Sequence, residues 1–458
     1  MSIDHGRIVE ELKETSKPDP ARVREVLAKA RELKGLDLPD VAVLMRTTDR
    51  ELVHACYETA RFVKREIYGN RIVYFAPLYV SNLCKNDCAY CAFRAENRGL
   101  KRKALSKDEI LRETESLIEQ GHKRVLLVSG EDYPEGGLQY VFDAIDAIYS
   151  VRTPKGSIRR VNVNIAPLTL PEFQRLNEHK IGTYQIFQET YHEVSYRGLH
   201  PRGPKADYRY RLETVGRAFE AGIADVGVGV LFGLYDWRYE VLALLGHVRA
   251  LEKSHGLGPH TISVPRIEPA EGSALSARPP YAVTDAEFKK IIAIFRMAVP
   301  YTGIILSTRE SIPMRRAALD LGVSQISAGS RTAPGGYGEG GSGAQFSLGD
   351  TRPLNEVVYD VLKMGHIPSF CTGCYRRGRV GKDFMDLAKP GLIKQHCLPN
   401  AMLTFAEYLY DFADPDLSQK GFDVIRVMLE REVVSEPLRV KVGELLRRVR
   451  NGERDLYL

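Results

Sequence analysis

Three of the seven cysteines fall in the stretch L-C-K-N-D-C-A-Y-C-A-F at 83–93, as Cys84, Cys88 and Cys91. Their C-x3-C-x2-C spacing puts three thiolates on one short loop, and soft sulfur donors select iron–sulfur clusters, zinc or copper. A structural zinc takes four protein ligands, commonly from paired C-x2-C knuckles. A triplet with no fourth cysteine nearby suits a cubane with one iron left open, better than a zinc knuckle or three unlinked thiols. A second triplet lies far downstream: Cys371, Cys374 and Cys397 have C-x2-C-x22-C spacing. Completed by His366 or His396 it reads as a zinc site. Left at three ligands it reads as a second cluster, and spacing alone leaves both open. Cys56, in the helical pattern H-A-C-Y-E-T-A, reads as a small buried apolar residue with no role in chemistry.

The elements that must position these thiols follow from length and periodicity. A chain of 458 residues can hold one large barrel with appendages, or two to three ordinary domains. With 44% hydrophobic and 27% charged residues it reads as a soluble globular protein. A formal charge of +6 over this length gives no argument for nucleic acid. Basic clusters at 94–103 and 375–379 each follow a cysteine motif. They read as solvated faces, with a landing surface for an acidic partner or anionic product as the functional alternative. No apolar run approaches the roughly 20 residues that span a bilayer, and the charges throughout 1–14 do not fit a signal peptide. The expected location is the cytoplasm, where cysteines stay reduced and serve as ligands or catalysts.

Residues 1–70 read as a helical N-terminal extension, with apolar residues three and four apart over 4–16, 19–33 and 49–68. Leu38-Pro39 and similar pairs separate these helices. From Arg71 onward, short β-branched runs alternate with amphipathic ones. Eight strands are expected, at 72–80, 125–129, 161–166, 184–190, 226–232, 261–267, 303–307 and 325–328. Helices between them include 107–120, 211–221, 240–254 and 285–299. This eightfold alternation predicts an α/β fold, a (β/α)8 TIM-type barrel over 71–335. Such barrels carry their chemistry at the C-terminal strand ends. The first cysteine loop falls directly after strand one, and the later strand ends are polar: S-G-E at 129–131, Q-E-T-Y-H at 188–192, S-T-R-E at 307–310 and S-A-G-S-R at 327–331. The stretch P-G-G-Y-G-E-G-G-S-G at 334–343 reads as a turning or mobile loop; without a Gly-Lys-Ser/Thr ending it is no phosphate loop. The rest, 336–458, is expected to be a mostly helical domain holding the second cysteine set, its 424–450 segment broken near Pro437.

Taken together these motifs resemble the aromatic-amino-acid lyase branch of the radical S-adenosylmethionine (SAM) superfamily, and within it the hydrogenase-maturing tyrosine lyases. The resemblance runs over essentially the whole chain. It includes both cysteine sets, S-G-E at 129–131, F-Q-E-T-Y-H at 187–192, G-P-H-T-I-S-V-P-R at 258–266 and S-A-G-S-R-T-A-P-G-G-Y at 327–337. The tail set separates this group from the tyrosine lyases of thiazole synthesis.

The resemblance implies a radical SAM barrel with a C-terminal iron–sulfur domain. Cys84, Cys88 and Cys91 would hold a 4Fe-4S cluster whose open iron binds SAM and yields a 5′-deoxyadenosyl radical. Tyr90 would lie beside the adenine. Ser129, Gly130 and Glu131 would meet the SAM ammonium, and Glu189 and Arg211 its ribose and carboxylate; a surface helix charge is the plain alternative for Arg211. Tyrosine, a zwitterion, needs a carboxylate clamp, which Arg309 with Ser307 and Ser327 would supply. Arg266 or Arg331 could serve instead, with Arg309 paired to Glu310. Cys371, Cys374 and Cys397 would hold a second 4Fe-4S cluster with an extra fifth iron, ligated by His260 and a free cysteine molecule. The implied reaction cleaves the tyrosine Cα–Cβ bond to p-cresol and dehydroglycine. Dehydroglycine becomes CO and cyanide at the second cluster, for FeFe-hydrogenase H-cluster assembly. Implied partners are an electron donor such as a ferredoxin or flavodoxin and other hydrogenase maturases, with neither nucleic acid nor membrane. The competing readings are a tyrosine lyase that releases dehydroglycine for thiazole synthesis, and a non-catalytic iron–sulfur scaffold.

Overall fold

The β-branched runs form eight parallel strands: β1 (Arg71–Ser81), β2 (Arg124–Ser129), β3 (Arg160–Asn164), β4 (Tyr184–Glu189), β5 (Val226–Val230), β6 (Thr261–Ser263), β7 (Gly303–Leu306) and β8 (Gln325–Ser327). Each pairs with the next, and β1 pairs with both β2 and β8, so the sheet closes into a barrel. The computed structural model describes residues 3–14, 16–338, 341, 343–389, 391–433 and 435–458. Glu339, Gly340 and Ser342 of the glycine-rich stretch lie outside the described residues.

Alternation along β1 sets the interior. Ile72, Tyr74, Ala76, Leu78 and Val80 join the hydrophobic core, whereas Arg71, Val73, Phe75, Pro77 and Tyr79 line cavities inside the barrel. That inward row runs from a cavity at the N-terminal strand ends to one at the C-terminal ends. In β5, V-G-V-G-V, glycine makes the interior room: a Cβ at Gly229 would stand 2.6 Å from the Phe187 ring.

Strands three to eight all end short of the positions their apolar runs suggest, the sixth by the most. The sixth ends at Ser263 just before Pro265, which cannot donate to the ladder; beyond it only a parallel bridge joins Phe232 to Arg266.

The N-terminal extension has four helices where the sequence suggested three: α1 (His5–Lys13), α2 (Pro20–Arg31), α3 (Leu38–Arg46) and α4 (Arg50–Tyr68). Asp4, Asp19, Asp37 and Asp49 cap them in turn. Leu38-Pro39, read as a break, instead opens α3, because proline in a first turn forfeits no hydrogen bond. The helix expected over 211–221 is two, Tyr208–Leu212 and Thr214–Glu220, divided at Glu213.

The tail is mostly helical, with Ile393–Phe412, Pro415–Arg431 and Glu436–Arg450 as its long helices and Pro437 in the first turn of the last. It also holds an unexpected strand, β9 (Ile367–Ser369), parallel to Arg71–Val73 of β1. Three residues containing a proline give no alternation to read. The strand forms because β1 starts five residues before Ala76, its first residue paired with β2 (to Val125), leaving backbone to pair. Phe370 and Cys371 follow β9 directly, which brings the second cysteine set to the N-terminal end of the barrel. Among the described residues no helix is long and apolar enough to cross a membrane.

Candidate functional site

The cavity at the C-terminal strand ends gathers most of the residues singled out above. Cys84, Cys88, Cys91, Tyr90, Ser129, Gly130, Glu131, Glu189, Arg211, Ser307, Arg309 and Ser327 all line it. The cysteine loop is fastened at both ends by Arg102, which donates to Asn82 O and Phe93 O at 2.8 Å and to Arg94 O at 2.6 Å. The basic stretch 94–103 is therefore no simple solvated face. Gly130 lets β2 pass under the loop: a Cβ there would lie 2.1 Å from Leu83 O. Its N–H is committed to Ser81 O at 2.9 Å, and Gly130 O accepts from Ser129 Oγ at 3.0 Å.

A buried charge network lies beside the thiols. Arg211 Nη1 donates to Glu131 Oε1 at 2.9 Å and Arg211 Nε to Phe187 O at 2.7 Å. Glu189 sits at a bulge between β4 and β5 with φ +70°, in the left-handed region. That turn aims its carboxylate at Lys205, whose Nζ donates to Oε1 at 2.6 Å, with Arg211 Nη2 3.7 Å away. Arg211 is thus no surface charge; its side chain is 5% exposed. Burial pulls the Glu131 and Glu189 carboxyls up, but Arg211 and Lys205 outweigh it and hold both below the usual range. Lys205 and Asn86 escaped the sequence reading. Asn86, between two of the cysteines, donates to Glu131 Oε2 at 2.7 Å and accepts from Lys205 N–H at 2.8 Å. Tyr90 bonds through its hydroxyl to His200 Nε2 at 2.8 Å, with the Lys205 ammonium 5.7 Å from its ring centroid.

Across the cavity, Arg309 lies with its guanidinium 3.2 Å from the Phe346 ring centroid. Among the described residues it forms no ion pair. Glu310 is taken by Arg266, whose Nε donates to it at 2.9 Å, and Arg266 also binds Asp285 at 2.8 Å. Arg331 is exposed and bonds Ser330 O at 3.0 Å. Of the three arginines considered for a carboxylate clamp, only Arg309 lines the cavity. Ser307 and Ser327 stand beside it, their Oγ atoms accepting from the N–H groups of Arg309 at 3.4 Å and Thr308 at 3.1 Å.

Cys371, Cys374, Cys397 and His260 line the second cavity, with Arg71, Arg124 and Arg160. Each of these arginines opens a strand, a repeated signal the sequence carried. Arg124 Nη2 donates to Cys371 O at 2.7 Å, whereas Arg71 Nε and Arg124 Nε are buried without hydrogen-bond partners. His366 and His396, the candidates for completing a zinc site, do not line this cavity; His260 does. Its Nδ1 is buried without a hydrogen bond, 3.5 Å from Asp225, and its ring tilts onto Phe384 at 4.3 Å. Burial, reinforced by the three arginines and opposed by Asp225, pushes its pKa down to about 4, so near neutrality it is the uncharged imidazole that metals bind.

The donor chemistry at both sites fits iron–sulfur clusters. Among the described residues no three donors converge as ligands of one ion, whereas a cubane takes each thiolate on a different iron. Burial, with Glu131 next, lifts the Cys84 thiol to about 11, and burial lifts Cys88 further; iron binding must displace those protons.

A parallel barrel that turns three thiols and a buried acid–base network into its C-terminal mouth has the architecture of radical SAM enzymes. Residues 78–245 match the Radical SAM superfamily and residues 263–367 the Biotin and Thiamin Synthesis associated domain. The 2-iminoacetate synthase of Escherichia coli (strain K12) is 32% identical over 331 residues, 72% of this chain and 85% of that protein. A crystal structure of HydG, a maturase of the [FeFe]-hydrogenase, superposes with TM-score 0.96 at 48% identity, covering 100% of this chain and 99% of that one. HydG from Carboxydothermus hydrogenoformans gives TM-score 0.85 at 42% identity, over 96% and 97% of the two chains. The chain belongs to the radical SAM superfamily, in the family of the FeFe-hydrogenase maturase HydG.

Proposed function

We propose that the chain is a tyrosine lyase that cleaves the Cα–Cβ bond of tyrosine to p-cresol and dehydroglycine, and that a second site turns dehydroglycine into CO and cyanide for FeFe-hydrogenase H-cluster assembly. The observation that carries this reading is one barrel with three cysteines at each end, the second set lying beyond both matched family segments. The name of the E. coli relative supports the first half, since 2-iminoacetate is dehydroglycine. The work divides by domain, with 71–335 cleaving tyrosine, 336–458 processing the fragment, and 1–70 buttressing the barrel.

Cys84, Cys88 and Cys91 would hold the first 4Fe-4S cluster, which with SAM supplies a 5′-deoxyadenosyl radical as hydrogen abstractor. The SAM headgroup carries an ammonium and a carboxylate, and the cavity offers both complements. Glu131 takes the ammonium, Arg211 takes the carboxylate, and Lys205 holds Glu189 ready for a ribose hydroxyl. Tyr90 flanks the adenine. Arg309 binds the carboxylate of tyrosine in its planar fork, with Ser307 and Ser327 completing the clamp. Cys371, Cys374, Cys397 and His260 would hold the second cluster and its fifth iron, with a free cysteine as further ligand. A ferredoxin or flavodoxin supplies electrons, other maturases take the product, and chemistry this sensitive to oxidation belongs in a reducing cytoplasm.

The test is anaerobic turnover of the reconstituted protein with SAM, tyrosine, cysteine and dithionite. The expected products are 5′-deoxyadenosine, p-cresol, cyanide and CO. Glyoxylate with p-cresol but no CO, from protein with both clusters loaded, would leave a plain dehydroglycine-releasing lyase. No 5′-deoxyadenosine would leave a scaffold.

A further inference from the structure

Gln345, in the loop after β8, lies over the first cysteine set. Its Nε2 is 3.8 Å from Cys91 Sγ in hydrogen-bond geometry, and its Oε1 accepts from the Tyr79 hydroxyl at 2.7 Å. Among the described residues it is the only side chain that donates to any of these three sulfurs. Its backbone is fixed on both sides: Gln345 N–H donates to Thr332 O at 2.9 Å, and Thr332 Oγ1 donates to Phe346 O at 3.1 Å. Tyr79 is equally fixed. It belongs to β1, is 4% exposed, and meets the edge of Phe93, the last residue of the cysteine loop, at 6.0 Å.

Oxygen and nitrogen of a glutamine amide can exchange places, and chemistry decides between them. An iron-bound cysteine sulfur is an electron-rich acceptor. The flipped amide would set its oxygen against that sulfur, so only the N–H faces it favourably. Tyr79 reinforces the choice by donating its O–H to the amide oxygen. A hydrogen bond to a cluster sulfur withdraws electron density and favours the reduced, more negative cluster over the oxidised one, which raises the reduction potential.

We propose that Gln345 is a positioning residue for the first cluster: its N–H bond to the Cys91 sulfur raises the reduction potential, and Tyr79 holds the amide in the donating orientation. The assignment rests on the reading that Cys84, Cys88 and Cys91 carry that cluster. It gives the loop after β8 an electronic task, because an external donor must deliver an electron to a cluster that then passes it to SAM.

The experiment is an EPR-monitored redox titration of the full-length reconstituted protein beside Gln345→Met, Gln345→Glu and Tyr79→Phe. Methionine keeps the length and loses the donor; glutamate adds charge as well. The midpoint of the first cluster should shift to more negative potential with methionine, further with glutamate, and less with Tyr79→Phe. The tail cluster, at the opposite end of the barrel, should keep its potential in all three and serves as internal reference. A first-cluster midpoint that stays at the wild-type value in Gln345→Met, at equal iron content and thermal stability, overturns the proposal. Should Gln345→Met fail to hold its cluster, Tyr79→Phe decides, and an unmoved midpoint there overturns it equally. Wild-type protein that forms no cluster on the Cys84 set would instead sink the underlying assignment.

Discussion

A guanidinium in a buried cavity with no carboxylate in contact is costly unless a ligand completes it. Among the described residues Arg309 is in that position, with Glu189 and Glu268 acting on it only from beyond ion-pair contact. Its neighbour Glu310 is committed to Arg266, its own charge rests on the Phe346 ring, and its donors face the cavity that holds Ser307 and Ser327. Lysine at 309 would keep the charge and lose the planar fork that matches a carboxylate. Arg309→Lys should cost roughly 1.5–3 kcal/mol of tyrosine binding, a rise in KM for tyrosine of about ten- to hundredfold. KM for SAM should hold at its wild-type value. Steady-state p-cresol assays at varied tyrosine and varied SAM measure both, and an equal loss for the two substrates would move Arg309 to the SAM headgroup. The sequence put Arg309 first but kept Arg266 and Arg331 as substitutes, since all three lie at or near strand ends. Only the pairing of Arg266 with Glu310 and the exposure of Arg331 separate them.

At the scale of elements, the first site depends on how β2 crosses the loop that leaves β1. The two strands pair in parallel with a register shift between Tyr79 and Ser81. Just beyond it Gly130 lies so near Leu83 that no side chain fits. Gly130→Ala must push the cysteine loop off the strand or distort β2, an overpacking cost of about 1–3 kcal/mol. Because the thiols ride on that loop, cluster loading should suffer more than folding. Iron bound per chain on the Cys84 set should fall at least severalfold while far-ultraviolet circular dichroism keeps its barrel signature. Iron content equal to wild type would mean that the loop absorbs the methyl group elsewhere. The eight barrel strands were readable because apolar runs and helical periods alternate along the chain. β9 was not, because a three-residue strand is specified by the backbone it pairs with rather than by its own residues.

Across the whole molecule, the barrel keeps its two sites apart. One cavity lies at the C-terminal strand ends and the other at the N-terminal ends, where β9 and the tail helices close over it. The tail is fastened at a second strand too: Arg159, just before β3, bonds Glu407 of the Ile393–Phe412 helix, and Glu407 also accepts from Asp455 N–H at 2.9 Å. Damage at one end should therefore leave the other working. Cys371→Ala should abolish CO formation while p-cresol formation stays within about twofold of wild type, as for sites with no shared partners. Parallel loss of both products would show that the second site is needed for folding or for tyrosine cleavage itself.

Residue types at short spacing are a local property, and the sequence by itself determined what is local. The two cysteine triplets, the strand–helix alternation and the polar strand ends follow from neighbours along the chain. Which charges meet is not local. That Glu131 and Glu189 share Arg211 and Lys205, that His260 rather than His366 or His396 faces the tail thiols, and that Gln345 reaches Cys91 all join residues far apart in sequence. Barrel closure fixes those meetings, because strand register and loop crossings set every distance across the interior at once.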